Sequence, residues 1–90
     1  MKNNIAVIGC GYWGKNLVRN FHELGALHTV CDASRQTLDN IASQYSGVAA
    51  VQDYNNVLAD ASVQGVAIAS PSALHHELAK KALLVGQLSL

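Results

Sequence analysis

Net charge is missing from this chain: six basic and six acidic side chains cancel, and only 13% of the 90 residues are charged. That balance removes the electrostatic footprint expected of a nucleic-acid or membrane-surface binder. Long apolar runs are missing too, and none approaches the ~20 residues that cross a bilayer. No signal-peptide pattern precedes the first strand-like segment, since Met1-Lys2-Asn3-Asn4 leads directly into it, and a cytoplasmic location is expected. The only cysteines, Cys10 and Cys31, lack zinc-ligand spacing and form no CxxC. Both fall at the carboxyl ends of neighbouring expected strands, where they read as small half-buried thiols rather than as a disulfide. No Ser-His-Asp order, paired acids or metal cluster stands out. No metal is therefore expected, and any chemistry would belong to a bound cofactor. Repeats, linkers and low-complexity stretches are likewise absent. What remains is one small domain with a globular composition, half of it apolar.

The most informative segment is Ile5-Ala6-Val7-Ile8 running into Gly9-x-Gly11-x-x-Gly14. Three glycines at this spacing let the backbone turn sharply and expose N–H groups to a pyrophosphate, while the following helix aims its positive end at the same anion. Gly9 suits the tight turn, Gly11 the close approach to the anion, and Gly14 the packing of helix on sheet. The alternative is a glycine-rich turn with no ligand. Asp32 ends the next apolar run, 18 residues beyond Gly14, close to the ~20 at which an acid accepts the adenosine ribose hydroxyls. Such an acid favours NAD over NADP. Arg35 leaves the second possibility open, because a nearby arginine can take up a 2′-phosphate. A solvated carboxylate or a helix cap is the other reading of Asp32.

Along the chain, strands and helices alternate. Strands are expected near 4–8, 27–31, 48–51 and 66–69. Helices are expected near 13–24 (stripe Leu17, Phe21, Leu24, stopped by Gly25), from a Ser34 cap to Tyr45 (stripe Leu38, Ile41, Ala42, Tyr45, then Gly47), at 54–59 capped by Asp53 (burying Val57 and Leu58), and at 73–85. This βα alternation predicts a Rossmann-like doubly wound parallel sheet of about four strands, order 3-2-1-4, with helices on both faces. Gln87–Leu90 begins a possible fifth strand. A sheet ending at the fourth strand would expose an apolar edge, so an interaction or homo-oligomerisation module pairing through that edge, or through the tail, is the alternative to a cofactor domain.

Further candidates flank the glycine loop. Tyr12 and Trp13 fill its variable positions, and Trp13 suits either the pyrophosphate and substrate entrance or packing of the fold. Lys15 follows in the first helical turn, useful near an anion or simply solvated. Ser70, Pro71 and Ser72 follow the fourth strand, beside the crevice where strand order reverses and where ligands of such sheets bind. His75 and His76 come a turn later. One could act as general acid or base, although adjacent helical positions cannot turn both rings to one metal. His22 and His28 read as structural.

Gly9-Cys10-Gly11-Tyr12-Trp13-Gly14-Lys15-Asn16, Arg19-Asn20-Phe21, Cys31-Asp32 and Ala67-Ile68-Ala69-Ser70-Pro71-Ser72-Ala73-Leu74-His75 resemble the glucose–fructose oxidoreductase, inositol dehydrogenase and rhizopine-catabolism family. Within it they look most like the UDP-N-acetylglucosamine 3-dehydrogenases. The resemblance implies a Rossmann domain binding NAD(P), followed by a second domain that holds a sugar and often builds the oligomer. It implies that Gly9, Gly11, Gly14 and Asp32 hold the dinucleotide, and that Ser70, Pro71 and His75 border its nicotinamide half. The family continues into a Glu-Lys-Pro motif whose lysine takes part in catalysis. Here the chain reads Gly86-Gln87-Leu88-Ser89-Leu90 and ends, and Lys80 and Lys81 do not match that motif. The expectation is a truncated cofactor domain over 1–90, without the substrate domain and not catalytic alone.

Overall fold

A strand that is apolar at every position has to be covered on both faces, and the fourth strand meets that condition. The computed structural model describes residues 4–69 and 88–89. Its elements are β1 (Ile5–Ile8), α1 (Tyr12–Glu23), β2 (Leu27–Cys31), α2 (Arg35–Gln44), β3 (Ala49–Val51), α3 (Tyr54–Ala59), β4 (Gly65–Ile68) and β5 (Leu88–Ser89). All four residues of β4 are buried. The strands form one parallel sheet in the order β3-β2-β1-β4-β5.

Side-chain alternation splits the core between the two sheet faces. Ala6 and Ile8 of β1 and Val66 and Ile68 of β4 join Cys31, Val57 and Val63 on the α3 face. Val7 and Ala67, one position out of phase, join Val18 of α1 and Leu38 and Ile41 of α2 on the other. Pairing of β1 with β2 jumps from Ile5↔Leu27 to Ala6↔Thr29, leaving His28 as an extra residue. This bulge puts Leu27 and Val30 into the same cluster, although they are three apart in sequence.

Helix ends follow local chemistry. Ser34 caps α2, its hydroxyl accepting from the Thr37 N–H at 3.3 Å, and Asp53 caps α3 by accepting from the Asn55 N–H at 2.9 Å. At the end of α1, Gly25 donates to the His22 carbonyl at 3.0 Å and Ala26 to that of Phe21 at 2.9 Å. This is the paired closure that a positive-φ glycine after a helix permits.

Several expectations need correction. Leu24 is not on the buried stripe of α1. It is the C-cap residue and 58% exposed, because the chain is already turning away there. Val18 takes the central place and is fully buried. Ala42 is exposed, since α2 buries only the narrow line of Leu38 and Ile41. The cysteines are fully rather than half buried, and both are free. The possible fifth strand at Gln87–Leu90 forms over Leu88–Ser89 and pairs with Gly65 and Val66, so the edge that a sheet ending at β4 would expose is occupied there. The expected helix at 73–85 lies outside the described residues.

Leu38→Ala is expected to cost about 2–5 kcal/mol by opening a cavity in the α1–α2 face. Leu24→Ala should stay within about 0.5 kcal/mol. Urea unfolding of the two variants checks the contrast.

Candidate functional site

Three strand ends meet where strand order reverses. Gly9 follows β1, Asp32 follows β2 and Ala69 follows β4. Backbone bonds tie them together: Gly9 N–H to the Cys31 carbonyl at 2.7 Å and Ala69 N–H to the Ile8 carbonyl at 2.8 Å.

The glycines divide into two that the fold requires and one that it leaves free. Gly9 has φ +86°, and a Cβ there would lie 2.5 Å from the Ala69 carbonyl oxygen. A Cβ on Gly14 would lie 1.8 Å from the Gly9 carbonyl oxygen, so α1 rests directly on the turn. Gly11 would meet nothing within 4 Å. It is the N-cap of α1 and makes no side-chain cap, whereas Ser34 caps α2 and Asp53 caps α3. The helical ladder begins with the Lys15 N–H donating to the Gly11 carbonyl at 2.9 Å. The N–H groups of residues 11–14 therefore precede any intrahelical acceptor. Open space at Gly11 beside a run of such donors, at the positive end of a 12-residue helix, fits a diphosphate. Tyr12 and Trp13 place their backbones in this run, while their side chains lie outside what is described.

Asp32 is held against the same loop. One carboxylate oxygen, Oδ2, accepts from the Cys10 N–H at 2.8 Å, and Oδ1 accepts from the Ser34 N–H at 2.8 Å. Each oxygen keeps a further acceptor site, and the side chain is only half buried, so it can still receive a ligand hydroxyl. Two loop amides, those of Gly9 and Cys10, are thus spent on the fold, and the donors from Gly11 onward are the ones left for a ligand. Arg35 does not pair with Asp32 but lies 3.8 Å from Asp39 Oδ1.

The thiols beneath the loop are inert. Burial, then the Asp32 carboxylate, then Cys31 push the Cys10 thiol from the ordinary 9.0 up to about 12. Burial first, then Asp32 and Asp53, push Cys31 up to about 11. Neither supplies a thiolate at neutral pH. His22 packs against Tyr45 with ring centroids 4.7 Å apart and planes tilted by 56°, and His28 Nδ1 meets Thr29 Oγ1, in keeping with structural roles. Among the described residues no group of three His, Cys, Asp or Glu side chains could hold a metal, and no helix is long and apolar enough to cross a membrane. Ser70, Pro71 and His75, expected beside the crevice, lie outside the described residues, as does His76.

Sequence reading missed the anchor of Asp32, because a backbone N–H on Cys10 leaves no trace in residue identity. It also missed Gln52. Its Nε2 donates to the Ala33 carbonyl at 3.0 Å, and its backbone carbonyl accepts from Cys31 Sγ at 3.9 Å.

A parallel, doubly wound sheet with a glycine turn and an anchored acid at its switch point is the architecture of a dinucleotide-binding domain. The family model of oxidoreductases with an NAD-binding Rossmann fold matches residues 3–87, and the chain belongs to this family. NAD is thus the cofactor of the family. Scyllo-inositol dehydrogenase from Lactobacillus casei, solved with NAD(H) and scyllo-inositol, superposes with a TM-score of 0.85 at 25% identity, covering 99% of this chain and 27% of that one. An NAD-binding protein from Listeria innocua is 31% identical with a TM-score of 0.85, over 99% of this chain and 26% of that one. A UDP-N-acetylglucosamine 3-dehydrogenase from Acidithiobacillus ferrooxidans shares the fold, with a TM-score of 0.85 at 22% identity, over 99% and 28% of the two chains. The chain therefore spans little more than a quarter of these structures. No curated protein matches it at a significant level.

Two outcomes follow from this geometry. Gly14→Ala is expected to cost roughly 3 kcal/mol or more, because the helix must move off the turn. Gly11→Ala should cost only about 1 kcal/mol, the loss of a favoured N-cap residue with no steric clash; thermal unfolding separates the two. For the thiols, the unfolded chain releases its protons from about pH 9, while the folded chain keeps them to about 11 and 12. The folded state then binds more protons, and stability falls as pH rises through that window, being complete below it. Urea midpoints from pH 8.5 upward should fall more steeply for the native chain than for the double variant Cys10→Ala, Cys31→Ala.

Proposed function

We propose that this chain is the cofactor-binding domain of a sugar or nucleotide-sugar oxidoreductase and that NAD lies across the crevice between β1 and β4. The N–H groups at Gly11, Tyr12, Trp13 and Gly14 hold the pyrophosphate over the turn made by Gly9. Asp32 accepts the adenosine ribose hydroxyls, and Ser70, Pro71 and His75 border the nicotinamide. Bound NAD supplies the hydride acceptor; the chain's own residues bind and orient it. The observation that carries this reading is the Asp32 carboxylate fixed 2.8 Å from the Cys10 N–H, which joins the ribose acceptor and the phosphate turn in one unit. A fixed carboxylate at that place repels a 2′-phosphate and favours NAD over NADP. The sugar reading is supported by family membership and by the scyllo-inositol bound in the Lactobacillus casei enzyme. The nucleotide-sugar reading is supported by the Gly-Tyr-Trp-Gly and Ser-Pro-Ser-Ala-Leu-His runs. Sugar binding and proton transfer belong to other parts of the enzyme, so the 90 residues bind cofactor without turning it over.

Calorimetric titration tests this. NAD should bind saturably at millimolar concentration or below. Asp32→Ala should weaken it about 10- to 100-fold, the worth of hydrogen bonds to a charged acceptor. Absence of saturation in the native chain overturns the binding assignment, and sugar oxidation by the chain alone overturns the division of labour.

A further inference from the structure

The turn after β2, which carries Asp32, is tied to the turn after β3 by one side chain. Gln52 donates from Nε2 to the Ala33 carbonyl at 3.0 Å and accepts at Oε1 from Arg35 Nη2 at 3.5 Å. The other arm of that guanidinium, Nη1, lies 3.8 Å from Asp39 Oδ1 one turn along α2. The backbone reinforces the junction, with the Asp32 N–H donating to the Val51 carbonyl at 3.2 Å. Arg35 is three residues from Asp32, and a nearby arginine can receive a 2′-phosphate. Here Arg35 is held between Gln52 and Asp39. Lys15, the cation on the adjoining flank of α1, lines a cleft with Thr37 and Asn40.

We propose that Gln52 is a specificity-determining residue for the dinucleotide: with Asp39 it draws the Arg35 guanidinium along α2, leaving the Asp32 carboxylate unneutralised toward the ribose and denying a 2′-phosphate its counter-charge. This rests on the NAD-binding reading above. Discrimination against NADP then has two parts, repulsion by Asp32 and sequestration of Arg35. The second depends on the Gln52–Arg35 contact, and the Arg35→Ala background separates it from the Gln52–Ala33 tether on the Asp32 turn. Exposed pairs of this kind are individually weak, so the effect of each is a modest factor.

The experiment is a comparison of dissociation constants for NAD and NADP across variants. These are the native chain, Gln52→Ala, Gln52→Ala with Asp39→Ala, Arg35→Ala, and Gln52→Ala with Arg35→Ala. Gln52 is exposed, and circular dichroism establishes that the variants fold. The preference for NAD should fall about two- to fivefold in Gln52→Ala and about tenfold when Asp39 is also removed. In the Arg35→Ala background, Gln52→Ala should leave the preference unchanged, a coupling that general loosening of the loop would not produce. An unchanged preference in Gln52→Ala, or the same change with and without Arg35, overturns the proposal while NAD binding stands. A native chain that binds neither dinucleotide overturns the NAD-binding reading, and the proposal falls with it.

Discussion

The closeness of α1 to the end of β1 governs this structure. A side chain of any size at Gly14 would collide with the Gly9 carbonyl oxygen, which a Cβ would approach to 1.8 Å. With a hydrogen atom there instead, the helix begins directly on the turn. Its first amides open over the switch point of the sheet, and its inner line of Leu17, Val18 and Phe21 settles on the α1–α2 core. The positive φ of Gly9 completes the bend. A Cβ at Gly14 would push α1 off the same turn whose Cys10 N–H holds Asp32.

The second constraint is that the site shares its foundations with the core. Cys10 belongs at once to the glycine turn and to the buried α1–α2 cluster, while Cys31 precedes Asp32 and lies in the cluster on the opposite face. Both thiols are kept protonated by burial, with the nearby carboxylate adding to the effect. They serve as small apolar volumes under a polar rim. Asp32, in turn, is oriented by backbone donors on both sides rather than by a cation, so its charge is retained for whatever approaches from the crevice.

Much of the architecture was legible in the residues. Strand order through β4, both side-chain caps, the α3 span and the stop at Gly25 follow from period, caps and glycines, which are local signals. The errors lay where tertiary packing decides. Leu24 continues the α1 stripe on paper but falls on the C-cap, where the chain is leaving the sheet. Ala42 is small enough to be read as core, yet α2 presents only Leu38 and Ile41 inward. The fifth strand was visible as an apolar tail, but its pairing with β4 depends on a register that no short segment encodes. For the site, the glycine spacing and the acid were readable as types. That Asp32 is fixed by the Cys10 N–H, and that Gln52 bridges two turns, depends on backbone atoms and long-range neighbours that sequence does not display.

Cofactor binding at this site requires a dinucleotide diphosphate to meet the amides at the start of α1. The most direct measurement is an amide-resolved NMR titration of the isotope-labelled chain with NAD. The expected result is that the largest shifts fall on residues 11–14 and on Asp32 and Ala33, with little change at the far ends of the strands near Gly25 and Gly47. Shifts concentrated in the cleft between α1 and α2 around Asn40 and Gln44, with residues 11–14 unmoved, would contradict it.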